Sequence, residues 1–149
     1  MNRRDWLRTS FRLGAAAAIF MGPLQALASI RDSFKAETVE GALQGVLGDL
    51  PVEESDAINF KIPDIAENGA VVPVSVSTEL EGVKAISIVI ENNPNPLTSR
   101  FEISPNVVAD VSTRVKMGES SMVRVYVETA DKIYTTAKEV KVTIGGCGG

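Results

Sequence analysis

The chain has 149 residues, enough for one domain, with 44% hydrophobic and 23% charged residues and a formal net charge of −4. It has no histidine and one cysteine, which excludes imidazole-based triads, thiolate zinc sites and internal disulfides. No stretch approaches the ~20 consecutive apolar residues of a membrane span, and the acidic balance argues against nucleic acid or an anionic membrane surface as a partner.

Residues 1–28 read as a leader rather than as part of a fold. Arg3 and Arg4 form a pair inside a basic segment that also holds Arg8 and Arg12. A short apolar run from Leu13 to Met21 follows, and Ala26-Leu27-Ala28 gives a small-residue cleavage pattern ending at Ala28. The paired arginines followed by Trp6, Leu7 and Arg8 resemble a twin-arginine export signal, so the mature chain is expected to start at Ser29, in the periplasm. The leader takes four of the 15 basic side chains and one of the 19 acidic ones, leaving 11 and 18, a net charge of −7 for the mature chain.

From Ile30 to Asp49 the spacing of Phe34, Val39, Leu43, Val46 and Leu47 predicts one helix, with Asp32 or Ser33 at its start and Gly48 and Pro51 at its end. Short alternating runs follow. Ile58, Phe60 and Ile62 share one face, as do Val72, Val74 and Val76, with Pro73 marking an edge or a bulge. Ile86, Ile88 and Ile90 form the next run, broken by Asn92-Asn93-Pro94-Asn95-Pro96. A strand around Phe101 precedes one with Val107, Ala109, Val111 and Val115 in step. Val123, Val125 and Val127 are expected inside, with Arg124, Tyr126 and Glu128 outside. In the last run, Lys132–Ile144, the apolar positions change from odd (Ile133, Ala137) to even (Val140, Val142, Ile144), which predicts a bulge or break near Lys138-Glu139. About seven strands after one helix predict a mainly β protein, an immunoglobulin-like sandwich over residues 29–144 with an aliphatic core.

The chain then reads Gly145-Gly146-Cys147-Gly148-Gly149. A strand without side chains has nothing to pack, so residues 145–149 are expected to project as a flexible arm reaching at most about 18 Å. Four glycines also keep that arm thin, so the thiol of Cys147 could enter a narrow channel in another protein. A free thiol with a pKa of about 8.5 is only a few per cent thiolate at neutral pH, so its activation has to come from the site it enters. That combination suits a carrier, not an enzyme.

The terminal "VKVTIGGCGG", behind an export signal and a β-rich body, resembles the SoxY family of the periplasmic sulfur-oxidising (Sox) system. "IAENGAVVPVSV" at 65–76 and "NNPNP" at 92–96 are similar to segments of that family too. The resemblance implies a non-catalytic carrier of thiosulfate and other reduced sulfur, with Cys147 as the attachment point and Gly145, Gly146, Gly148 and Gly149 as the swinging arm. It implies no cofactor beyond covalent sulfur on Cys147. It implies a heterodimer with a SoxZ-like β-sandwich subunit. It also implies a c-type cytochrome conjugating enzyme, a sulfate-releasing hydrolase and, in some systems, a molybdenum–haem sulfane dehydrogenase.

Three other chemistries fit parts of the tail. A terminal Gly-Gly is found on ubiquitin-like sulfur carriers, but their thiocarboxylate chemistry requires cytoplasmic ATP-dependent activation, which an export leader contradicts. An exported structural or interaction protein could use Cys147 for an interchain disulfide. A cysteine-nucleophile enzyme would need a base among the scattered carboxylates or lysines, none of which is placed near the tail in sequence; Asp64 and Glu67 read as turn and surface residues.

Overall fold

Alternating valines and isoleucines form the strands because β-branched side chains pack well on a pleated face, and one side of each row is removed from water. The structure, a computed structural model, describes residues 29–143. A helical stretch at residues 29–33 and a helix, α1 (Val39–Leu47), precede nine strands among the described residues: β1 (Val52–Glu54), β2 (Ile58–Lys61), β3 (Ile65–Ala66), β4 (Val72–Thr78), β5 (Ala85–Ile90), β6 (Leu97–Glu102), β7 (Asp110–Val115), β8 (Ser121–Glu128) and β9 (Ile133–Val142). They make a mainly β, immunoglobulin-like sandwich. One sheet has the order β1-β9-β8-β5-β6, with β3 also on β9; the other is β2-β4-β7.

The expected inward rows are inward. Val72, Val74, Val76, Ile86, Ile88, Ile90, Val123, Val125 and Val127 are buried between the sheets with Ile58, Phe60, Ile62 and Val140. Pro73 sits in the middle strand of its sheet, yet β2 pairs only with Ser75–Thr78, so Pro73 has a neighbouring strand on one side only.

The single helix over residues 30–49 is corrected to two pieces. Residues 29–33 are helical, the chain turns, and α1 restarts with Thr38 as its cap, the Thr38 hydroxyl accepting from the Gly41 N–H at 3.1 Å. The Asn95 amide donates to the Lys35 and Ala36 carbonyls, satisfying groups that a continuous helix would have used itself. Asp32 and Ser33 therefore lie inside the first piece, and Phe34 is exposed in the turn. Gly48 ends α1, with φ 57°. The two pieces touch at Gly45, where a Cβ would stand 2.6 Å from the Ser29 carbonyl oxygen.

This helical layer overturns the outward placement of Tyr126. Ala42, Val46 and Leu47 of α1 cover Val89, Leu97, Tyr126 and Ile133 on the outer face of the larger sheet, forming a second core. Burial raises the Tyr126 phenol above its ordinary range; nearby Arg124 lowers it and Glu91 raises it again. With the folded value raised, the unfolded chain ionises first. The contribution of this side chain to stability is complete below about pH 10 and is lost as pH climbs towards the folded value. The stability difference between the parent and Tyr126→Phe should therefore shrink as pH rises above about 10, as read from urea midpoints; a constant difference would contradict it.

The bulge or break expected near Lys138-Glu139 is also absent: β8 and β9 keep one register from Ser121↔Val140 to Glu128↔Ile133. The change of phase has another cause. Ile133 faces the helical layer while Tyr134, Val140 and Val142 face the main core, so one straight strand is covered on different sides at its two ends. Val107 is exposed in the loop before β7, out of step with buried Ala109 and Val115. On the larger sheet's outer face, Arg100 is nearly enclosed and bonds to Glu128 at 2.9 Å, to Glu102 at 2.7 Å and to the Ser87 hydroxyl at 3.3 Å.

Candidate functional site

Cys147, with Gly145, Gly146, Gly148 and Gly149, lies outside the described residues, as do Arg3, Arg4 and Ala28 of the leader. The structure does give the place from which the tail departs. The last described residue is Thr143, just past the end of β9, and this end is held from two sides. On one side β3 runs parallel to it: the Lys141 N–H donates to the Asp64 carbonyl at 2.9 Å and the Thr143 N–H to the Ala66 carbonyl at 3.1 Å. On the other, the Ser120 hydroxyl accepts from the Val142 N–H at 2.9 Å. A segment gripped at both edges delivers whatever follows it from a fixed point.

The loops around that point are tied together by polar side chains. Gly69, in the β3–β4 loop, accepts from the Met117 N–H at 2.7 Å. Only glycine fits there, since a Cβ would lie 2.5 Å from the Met117 carbonyl oxygen and 3.0 Å from a Val142 methyl. The asparagines after β5 extend the same clasp. The Asn93 amide donates to the Lys116 carbonyl at 2.7 Å while its oxygen accepts from the Gly118 N–H, and the Asn92 amide donates to the Ser120 carbonyl at 2.9 Å. Neither Gly69 nor Ser120 was picked out from the sequence. Asn68-Gly69 did carry a turn signal, but its contact across the sandwich leaves no local trace.

Asp64 and Glu67 are exposed, as read from the sequence. Among the described residues, no group of three or more acidic, cysteine or histidine side chains gathers to hold a metal ion, and no helix is long and apolar enough to cross a membrane. Two open clefts, of about 520 and 570 Å³, lie between the edges of β6 and β7 and at the opposite end of the smaller sheet.

The family model described as "Sulfur oxidation protein SoxY" matches residues 43–147, ending on Cys147 itself. The chain belongs to the SoxY family. The solved structure of the sulfur carrier protein SoxY from Chlorobium limicola f thiosulfatophilum is similar at 40% identity and a TM-score of 0.66. The match covers 72% of this chain and 97% of that one. A superoxide reductase (neelaredoxin) from Ignicoccus hospitalis is similar at 17% identity and a TM-score of 0.55, covering 62% of this chain and 94% of that one. That second likeness shows a shared fold and nothing of its chemistry. No curated protein matches the sequence. The SoxY assignment takes in both stretches that carried the resemblance, residues 65–76 and 92–96. In the structure these stretches contribute Gly69, Asn92 and Asn93 to the clasp around the root of the tail.

Proposed function

We propose that this chain is an exported covalent carrier of reduced sulfur, with Cys147 as the attachment point and the four glycines as its swinging arm. The observation that carries this reading is that the SoxY match runs through to Cys147, the one cysteine of the sequence, four residues beyond a firmly held strand end.

The chemistry balances as follows. The Cys147 sulfur bonds to the outer sulfur of thiosulfate, the thiol proton goes to solvent, and two electrons leave to a c-type cytochrome enzyme. Water then cleaves the bond to the sulfonate in a hydrolase. Sulfate departs and a persulfide remains on Cys147. A molybdenum–haem enzyme is the candidate for oxidising that remaining sulfur. The carrier itself needs no cofactor for these steps.

A SoxZ-like β-sandwich subunit is the proposed permanent partner. Export by the twin-arginine route places the work in the periplasm, with Ser29 as the first mature residue. Support for that boundary comes from Ser29 being engaged in the fold: its carbonyl accepts from the Ser33 hydroxyl and its own hydroxyl donates to the Gly45 carbonyl.

Mass spectrometry tests the proposal. Incubation of the mature protein with thiosulfate and the oxidised conjugating enzyme should add about 112 Da, removable by a thiol reductant, as for a reversible cysteine S-adduct. An unchanged mass, or an addition on another residue, would overturn it.

A further inference from the structure

The carrier reading requires enzymes to reach Cys147, and covalent geometry limits where they can sit. Cys147 is the fourth residue after Thr143, so the two Cα atoms are at most about 14 Å apart in any conformation. β9 alone has 10 residues, a length of roughly 33 Å. An enzyme acting on the thiol must therefore press against the end of the sandwich where β9 stops.

Among the described residues, few exposed large apolar side chains stand at that end. Ile65 and Val71, 58% and 49% exposed, are carried by the segment that touches it: Ile65 pairs with Lys141, and Gly69 beside Val71 abuts Val142. Val107 and Val108 are more exposed, but they follow β6, whose last residue Glu102 lies in one row with Ala85, Glu128 and Ile133, where β9 begins. They are beyond the reach of Cys147. Val52 pairs with Ile133 in that same distant row.

We infer that Ile65 and Val71 are the docking contacts for the enzyme that loads Cys147, and that this enzyme carries an apolar rim around its active-site entrance. Two aliphatic side chains, Ile65 on β3 and Val71 on the loop pinned by Gly69 and Met117, suit a small, transient interface: they bury without ordering a mobile segment, and release remains fast. This inference rests on the carrier reading.

Its test measures the conjugating reaction with the full carrier complex. Ile65→Lys combined with Val71→Lys should raise the KM for the carrier about tenfold. The rate at which Cys147 reacts with a small disulfide reagent, and the melting temperature, should not change. Val107→Lys with Val108→Lys is the matched control and should leave KM alone; Ile65→Ser with Val71→Ser gives a milder form of the first pair. An unchanged KM in the first pair, or an equal rise in the control, overturns the inference. So does loss of the second carrier subunit on purification, which would make this surface a subunit interface. None of these results bears on whether Cys147 takes the adduct, so failure here is distinct from failure of the carrier reading.

Discussion

Cys147→Ser is expected to abolish both the thiosulfate adduct and pathway activity while leaving the melting temperature unchanged. The hydroxyl keeps nearly the size of the thiol, but it is not appreciably ionised at neutral pH and forms no stable bond of the required kind to sulfur. No second cysteine can substitute, because the sequence has none. The carrier reading expects the fold to be indifferent, with both cores among the described residues built from aliphatic and aromatic side chains of the strands and α1. Full thiosulfate oxidation by the serine variant, measured as sulfate released with all other components present, would end the carrier reading. A fall in stability together with activity would show instead that the tail is part of the packed structure.

The second large effect is at Gly69. Any Cβ there meets the Met117 backbone carbonyl at 2.5 Å, and that oxygen belongs to a buried residue whose own N–H bonds back to Gly69. Backbone cannot rotate away as a long side chain can. Gly69→Val should cost about 3 kcal/mol through overpacking, a drop of roughly 12 °C in melting temperature for a domain of this size. Because the same methyls press on Val142, the variant should also slow transfer from Cys147 by moving the root of the arm. Gly69→Ala should show the same effects in smaller measure. Thermal melts followed by circular dichroism check the first part, and unchanged melting in both variants would refute it.

What the sequence made legible was the arithmetic of alternation. Val72, Val74 and Val76, or Val123, Val125 and Val127, needed no more than a period of two to be placed inside. That period tells which side of a strand is apolar but not what lies against the other side. Tyr126 was therefore assigned to solvent when α1 covers it, and the shift of phase along β9 passed for a bulge. β1 and β3 are three and two residues long, too short to alternate, and each exists because β9 offers its edge. The helix split in two because Thr38 and Asn95 together provide a cap and a stop, and Asn95 is distant in sequence. The glycines and cysteine of the tail were legible by themselves. The clasp that steadies their departure point depends on Gly69, Ser120 and Asn93, which meet only in three dimensions.

β9 lies between β8 and the early strands β1 and β3, and side-chain bonds at its two ends tie it to them across 79 and 77 residues. Closing loops of that span is entropically slow, so folding should take milliseconds to seconds rather than microseconds. Until the final strand inserts, the flank of β8 stays unsealed, a template for stray chains and an opening for proteases. On the carrier reading, the thiol that follows the closing strand in sequence comes into use only on a finished body.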